Sequence, residues 1–327
     1  MNVADFDYNL PAQLIAQQPS ETRDGCRLLV IHRDTGELEH KHFYDVLDYL
    51  DPGDCLVFND SKVLPARLFG TKEGTGAKIE FLLSRRIEGD TWETLVRPGR
   101  RLRPGDTVIF GENGDLRAEI TGHGEEGTRI VNFAYSGDFM ALLDRLGAMP
   151  LPPYIERAAE ESDKDRYQNV YAKEYGSVAC ATAGLHWTPE LIAKAEGKGV
   201  RVAYVTLHVG IGTFRPVKVD RIEDHHMHFE EYSVSEEAAR IVNETKAAGG
   251  RIVSVGTTAC RTMESAAGED GMLKPGSGST GIFITPAMSS NSWTGSSRTS
   301  TCRNRRCLCS SRHYIPARAC SRPTKRP

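Results

Sequence analysis

Short apolar runs broken by polar turns set the outline of the chain. Residues 27–33 (RLLVIHR) form one such run, closed by the turn DTGE at 34–37, and 55–59 (CLVFN) forms a second. Both predict interior strands. Helical spacing over 43–50, ended by Asp51-Pro52-Gly53, predicts a helix, and Leu10-Pro11 predicts the start of another through Gln18. From 66 to 147 the texture changes. ARLFGT, KIEFLLSR, TWETLVR, DTVIF, LRAEITG and TRIVNFA are strand-like and separated by Gly-rich or charged turns, the pattern of a small barrel or sandwich. A helix over 139–150 closes this stretch, and Pro150, Pro152 and Pro153 stiffen the connector after it. Beyond 165 helices and strands alternate. A helix over 189–199 precedes a buried strand at 200–209. A helix over 235–250, with Ser235 as N-cap and glycines at its end, precedes strands at 251–258 and 281–286. The prediction is a mixed-sheet α/β domain, 1–65 and 151–286, interrupted by an all-β, barrel-like insertion over 66–150.

Composition adds one asymmetry. Residues 287–327 carry nine Lys or Arg and no Asp or Glu, which leaves −12 on residues 1–286, since the whole chain is −3. Four of the eight cysteines also lie in that tail. Cys26, Cys55, Cys180 and Cys260 are scattered without metal-ligand spacing and read as reduced cytosolic thiols. No apolar run is long enough for a membrane helix, and the first residues lack the basic and apolar regions of a secretory signal, so the expected place is the cytoplasm.

Four clusters carry candidate chemistry. In NDSKVLPARL (59–68), Asn59 and Asp60 can bind ligand hydroxyls or cap a turn. In YGSVACATAGLHWT (175–188) the small residues Gly176, Ser177, Ala179, Ala181 and Ala183 let backbone amides approach a ligand, and His186 is either an acid–base group or a structural histidine. LHVGIGTFRPV (207–217) places Gly210 and Gly212 directly after a buried strand, where open α/β sheets bind ligands. It lacks the third glycine of a dinucleotide fingerprint. In VGTTACRTMES (255–265), Thr257 and Thr258 end a strand and Arg261 starts a helix, a setting for an anion or for ordinary capping. In DHHMHFEEY (224–232), His226, His228 and Glu230 would share one strand face, but no cysteine or HExxH spacing supports a metal, and none is expected. The basic run RPGRRLRPGD (97–106) is a candidate phosphate contact or a solvated loop.

In this order the five motifs NDSKVLPARL, RPGRRLRPGD, GSVACATAGLH, LHVGIGTFRPV and VGTTACRTMES resemble the S-adenosylmethionine:tRNA ribosyltransferase-isomerases, from residue 1 to Pro286. The resemblance implies an α/β protein with an inserted β-barrel. It also implies transfer and isomerisation of the ribosyl part of S-adenosylmethionine onto 7-aminomethyl-7-deazaguanine, at the wobble position of a tRNA with a GUN anticodon. Epoxyqueuosine would form and adenine and methionine would leave, with no cofactor, since S-adenosylmethionine is a substrate, and with no membrane or stable protein partner. His186, His208, His228 and Glu230 are the acid–base groups in the matching motifs. Asn59, Asp60, Arg67, Thr182, Gly184, Gly210, Gly212, Thr213, Thr257, Thr258 and Arg261 are the expected substrate contacts. Arg97, Arg100, Arg101 and Arg103 are the expected tRNA contacts. Two rivals are a methyltransferase, which would want a GxGxG loop near the start, and a non-catalytic RNA-binding module built on the β insertion.

The sequence departs from the family at Lys62 (usually Arg), Cys180-Ala181 (Ala-Pro), Trp187 (Phe) and Ala259-Cys260 (Ser-Val), and the lost proline should loosen the loop before His186. The larger departure is the tail. After GIFITP the family continues roughly Gly-Tyr-x-Phe-Lys-x-Val-Asp, and later Phe-His-Leu-Pro-Lys-Ser-Thr-Leu-Leu-Met-Leu-Val. Taking each codon from the last base of one tail codon and the first two of the next, Ser300-Thr301-Cys302-Arg303 yields Phe-His-Leu-Pro. Met288 to Thr294 yields Glu-Phe-Lys-Leu-Val-Asp. This reads as a one-base slip near Pro286. Cys302, Cys307, Cys309, His313 and Cys320 are then no zinc site, the +9 tail is no RNA-binding arm, and its composition predicts disorder.

Overall fold

A computed structural model describes residues 1–32, 35–214 and 217–285, and the backbone of 295–297. The expectations for the rest of the tail lie outside the described residues. An antiparallel hairpin, β1 (Arg27–Ile31) and β2 (Leu38–His42), leads through a 3-10 turn at Phe43–Tyr49 to β3 (Cys55–Asn59). All five residues of β3 are buried, because both faces of the strand are covered. Cys55 and Val57 point to one face and Leu56 and Phe58 to the other, as a period of two requires.

Three more strands extend the sheet on one side of β3. They are β12 (Arg201–Leu207), parallel to β3, then β13 (Glu230–Val234) and β15 (Gly276–Thr280), both antiparallel to their neighbours. On the other side lie β14 (Ile252–Val255) and the backbone of β16 (Gly295–Ser297), both parallel. Helices α4 (Glu236–Ala247) and α5 (Thr257–Ala266) cover one face of this mixed sheet through Ala238, Val242, Ala259 and Met263. Helix α3 (Pro189–Gly197), Trp187 and Phe43 cover the other. Thr188 caps α3 and Ser235 caps α4, each accepting a backbone N–H with its hydroxyl.

Between the short strand β4 (Ser61–Val63) and the connector, the chain builds a closed barrel. Its strands are β5 (Arg67–Lys72), β6 (Lys78–Glu88), β7 (Thr91–Arg97), β8 (Thr107–Phe110), β9 (Leu116–His123) and β10 (Arg129–Tyr135), paired antiparallel in the order β10-β7-β6-β5-β8-β9. Alternate residues such as Leu68, Ile79, Phe81, Val108, Phe110, Ile120 and Val131 fill the interior. Helix α1 (Phe139–Leu146), capped by Asp138, adds Phe139 and Leu143 to that core. Val178 and Ile211 of the α/β part belong to the same core, so the barrel packs directly on two loops of the larger sheet. After α2 (Asp163–Arg166), strand β11 (Glu174–Ser177) pairs parallel with β4.

Several expectations are corrected. The stretch 10–18 makes only a 3-10 turn at Ala12–Leu14, because none of its side chains is buried to repay a helix. The strand expected at 281–286 is displaced to Gly276–Thr280. Ile282 and Ile284 instead pack on the core under α5, and the Ile282 carbonyl accepts from Arg261 Nε. Arg261 lies in the middle of α5, which begins at Thr257. Only Glu230 of the trio with His226 and His228 is in a strand. Among the described residues, no helix is long and apolar enough to cross a membrane.

Candidate active site

The in-register parallel strands bring their C-terminal ends to one sheet edge. Arg201 and Ile252 both lie opposite Cys55, so Asn59, Leu207 and Val255 end together, and Glu230 and Thr280 of the antiparallel strands meet them there. This is the edge at which α/β sheets place ligands.

Asn59 is buried and spent on the frame. Its side chain accepts from the Leu207 and Ser61 amides and donates to the Leu207 carbonyl, joining β3 to β12. Asp60, also buried, accepts from the Thr206 hydroxyl at 2.7 Å. Burial raises its carboxyl above the ordinary range, and the Thr206 bond opposes this only in part.

His208 continues from β12. Its Nδ1 lies 2.8 Å from Ser61 Oγ, which is 2.6 Å from Ser177 Oγ, and Ser177 accepts the Val209 amide at 2.9 Å. Burial lowers the imidazole, while the charges of Glu231, Glu174 and Asp60 pull the other way. Gly176 makes this approach possible: a methyl there would fall 2.5 Å from His208 Nδ1.

At the α5 end, Gly256 takes a positive φ of 92° and leaves the helix without a side-chain cap. The first-turn amides have no partner within the helix, and Thr258 Oγ1 is buried with no hydrogen-bond partner among the described residues. Those donors suit an anion. Arg261, expected to bind substrate, is buried instead in an ion pair with Glu230 and donates to the carbonyls of His228, Thr280 and Ile282. Burial lowers its pKa and the Glu230 charge resists this. Glu230 also accepts the Gly210 amide at 3.0 Å, so the pair shapes the turn holding Gly210, Gly212 and Thr213.

The other expected residues stand apart. His186 Nδ1 lies 3.0 Å from Cys26 Sγ, and the ring also binds the Arg23 carbonyl; burial lowers its pKa. This is the structural reading of His186. Gly184 is a packing glycine, since a methyl there would sit 2.0 Å from the Tyr171 hydroxyl, and Thr182 opens the same 3-10 turn. That loop is held without a proline: the Cys180 amide donates to the Tyr167 hydroxyl and Asn169 donates to the Ala181 carbonyl. Arg67 pairs with Glu80 and reaches the Leu151 carbonyl, which ties the barrel to the connector. Ser61 was not singled out by sequence; strand alternation, which sets it on the face of Asn59, is the signal that could have found it.

Arg97, Arg100, Arg101 and Arg103 are exposed on the barrel, and among the described residues none is in an ion pair. Arg129 anchors their loop by donating to the Gly99 and Leu102 carbonyls. The neighbouring 123–129 turn carries Glu126, 3.8 Å from His228 Nε2, so this barrel end abuts the α/β part near the site edge. A cleft of about 510 Å³ between α1, α2 and β4 is lined by Arg23, Lys62, Lys164, Asp165 and Tyr175. Among the described residues, no three His, Cys, Asp or Glu side chains are grouped as a metal would require.

Residues 3–295 match the model of a family described as queuosine biosynthesis protein. The S-adenosylmethionine:tRNA ribosyltransferase-isomerase of Acetivibrio thermocellus is 53% identical over 286 residues, 88% of this chain and 83% of that one. The crystal structure of an S-adenosylmethionine tRNA ribosyltransferase from Thermotoga maritima is 36% identical, with a TM-score of 0.52 over 96% of this chain and 91% of that one.

Proposed function

Because the chain belongs to the family of queuosine biosynthesis proteins, we propose that it transfers and isomerises the ribosyl part of S-adenosylmethionine onto 7-aminomethyl-7-deazaguanine at the wobble position of a GUN-anticodon tRNA. The products are epoxyqueuosine, adenine and methionine. That the chain is an enzyme of the S-adenosylmethionine:tRNA ribosyltransferase-isomerase kind is the premise; the acceptor base and the products are our reading. The donor supplies both leaving groups, so the scheme includes no metal or redox cofactor.

One observation carries it: motifs far apart in sequence, at 59–61, 176–177, 208–210, 230 and 256–258, converge on a single sheet edge. The sulfonium acidifies the 5′ carbon of the ribose, and a base near that carbon must take the proton. Asp60 is suited to it, since burial raises its basicity toward the operating pH. The amides opening α5 and the Thr258 hydroxyl would receive the methionine carboxylate.

Incubation with tRNA bearing the aminomethyl base and S-adenosylmethionine labelled in the adenine ring and in the methionine separates the readings. We expect free adenine and free methionine together, and only with that tRNA. S-adenosylhomocysteine would assign a methyltransferase, and tRNA binding without either product would assign an RNA-binding module.

A further inference from the structure

We infer that Ser61, itself fed by Ser177, holds His208 with its proton on Nε2 and turns that nitrogen into a hydrogen-bond donor at the site edge. The inference rests on the function proposed above for its chemistry, but its geometry stands alone.

The direction of the chain follows from its first link. A backbone N–H only donates, so Val209 gives its proton to Ser177 Oγ. Ser177 is buried, and the one acceptor within reach of its own hydroxyl among the described residues is Ser61 Oγ, 2.6 Å away. An orphaned buried hydroxyl proton is costly, so Ser177 donates to Ser61. Ser61 then has one proton to give. The Glu174 carbonyl stands at 3.5 Å, beyond a good O–H···O bond, whereas His208 Nδ1 stands at 2.8 Å. Ser61 therefore donates to Nδ1, and the neutral ring carries its hydrogen on Nε2. Among the described residues Nε2 has no hydrogen-bond partner, and the ring is only partly buried.

The ring is positioned from three sides. Its backbone amide donates to the Glu231 carbonyl, Ser61 holds Nδ1, and the bare Gly176 lets the imidazole lie against the chain. Burial favours the neutral ring, in the same sense as donation from Ser61. A neutral Nε2–H cannot act as a base. It can donate to an oxygen or nitrogen that gains charge as the donor breaks apart. Ser61 and Ser177 are positioning residues, and His208 is the group that would touch substrate.

The test is nitrogen NMR of the full chain labelled in histidine, with the His208 signals assigned through His208→Gln. We expect a protonated Nε2 and a bare, hydrogen-bonded Nδ1. In Ser61→Ala the ring should relax toward the tautomer mixture of a free imidazole, and its pKa should rise, because a donor favouring the neutral form is gone. Asp60, Glu174 and Glu231 face the ring in both proteins and cannot give that difference. Ser61→Thr should restore the wild-type spectrum. Ser177→Ala, which leaves Ser61 free to swing toward Glu174, should give a partial shift and serves if Ser61→Ala does not fold. A proton on Nδ1 in the wild type, or a pKa that falls or stays in Ser61→Ala, would overturn the inference. Adenine release by the same variants with the reading frame restored tests the link to catalysis. About a tenfold loss in kcat with KM little changed is expected for Ser61→Ala, the worth of one net hydrogen bond. An unchanged kcat would overturn the donor role, while no adenine release by the wild type would sink only the proposed function.

Discussion

At His186 and His208, burial is the largest influence on the proton; the Arg23 carbonyl acts second at His186, and the Glu231 charge acts second at His208. Both pKa values lie below the ordinary 6.5, so the unfolded chain binds more protons than the folded one as pH falls through that value. Stability is full above about pH 6.5 and declines below it, down to the folded-state pKa values. Thermal melts between pH 8 and pH 5 should show a midpoint that is flat and then falls, and His208→Gln should lessen the fall. A midpoint that rises on acidification would contradict the burial of these rings. Arg261 is a different case: with Glu230 it forms a buried pair whose halves depend on each other. Arg261→Ala should cost about 3–5 kcal/mol, because it strands a buried carboxylate. Urea unfolding would check this.

Among the elements, the loop from Arg97 to Arg103 is a fixed rather than floppy cationic arm, because Arg129 grips its carbonyls. Replacing Arg97, Arg100, Arg101 and Arg103 by Gln should weaken tRNA binding. It should also lower the salt dependence by about 0.7–0.9 in the log–log slope for each phosphate no longer neutralised. An unchanged slope would make the loop structural. The barrel strands were legible in the sequence because a strand with one buried face writes its alternation into the chain, as TWETLVR and LRAEITG do. The same rule misled at 281–286, where apolar residues are packed by tertiary contacts and the ladder falls on Gly276–Thr280, a run with no apolar side chain. At the site, sequence named Asp60, His208, Gly210, Thr257 and Thr258, which do lie at the edge. What it could not show is that Arg67 and Arg261 pair with Glu80 and Glu230 and that Gly184 packs against Tyr171, since those partners are brought in by the fold.

For the whole molecule, we propose that the tail is a shifted reading and that the native continuation restores an apolar Leu-Leu-Met-Leu-Val run. Burying those five side chains would contribute about 1.5–3 kcal/mol each, against a net stability of about 5–15 kcal/mol for a domain. The frame-restored protein should melt higher, stay more soluble and release adenine faster than the chain as written. Equal melting and equal turnover would make residues 287–327 a tolerated native tail. A last consequence lies in Val178 and Ile211, which help to fill the barrel's apolar interior although they belong to the site loops of the larger sheet. Parting the two units would open both at once, so neither can serve the other as an independent module. Scanning calorimetry should give one heat-absorption peak with its calorimetric enthalpy close to the van't Hoff value, and a chain with 66–150 cut out should fail to refold instead of yielding a smaller working enzyme.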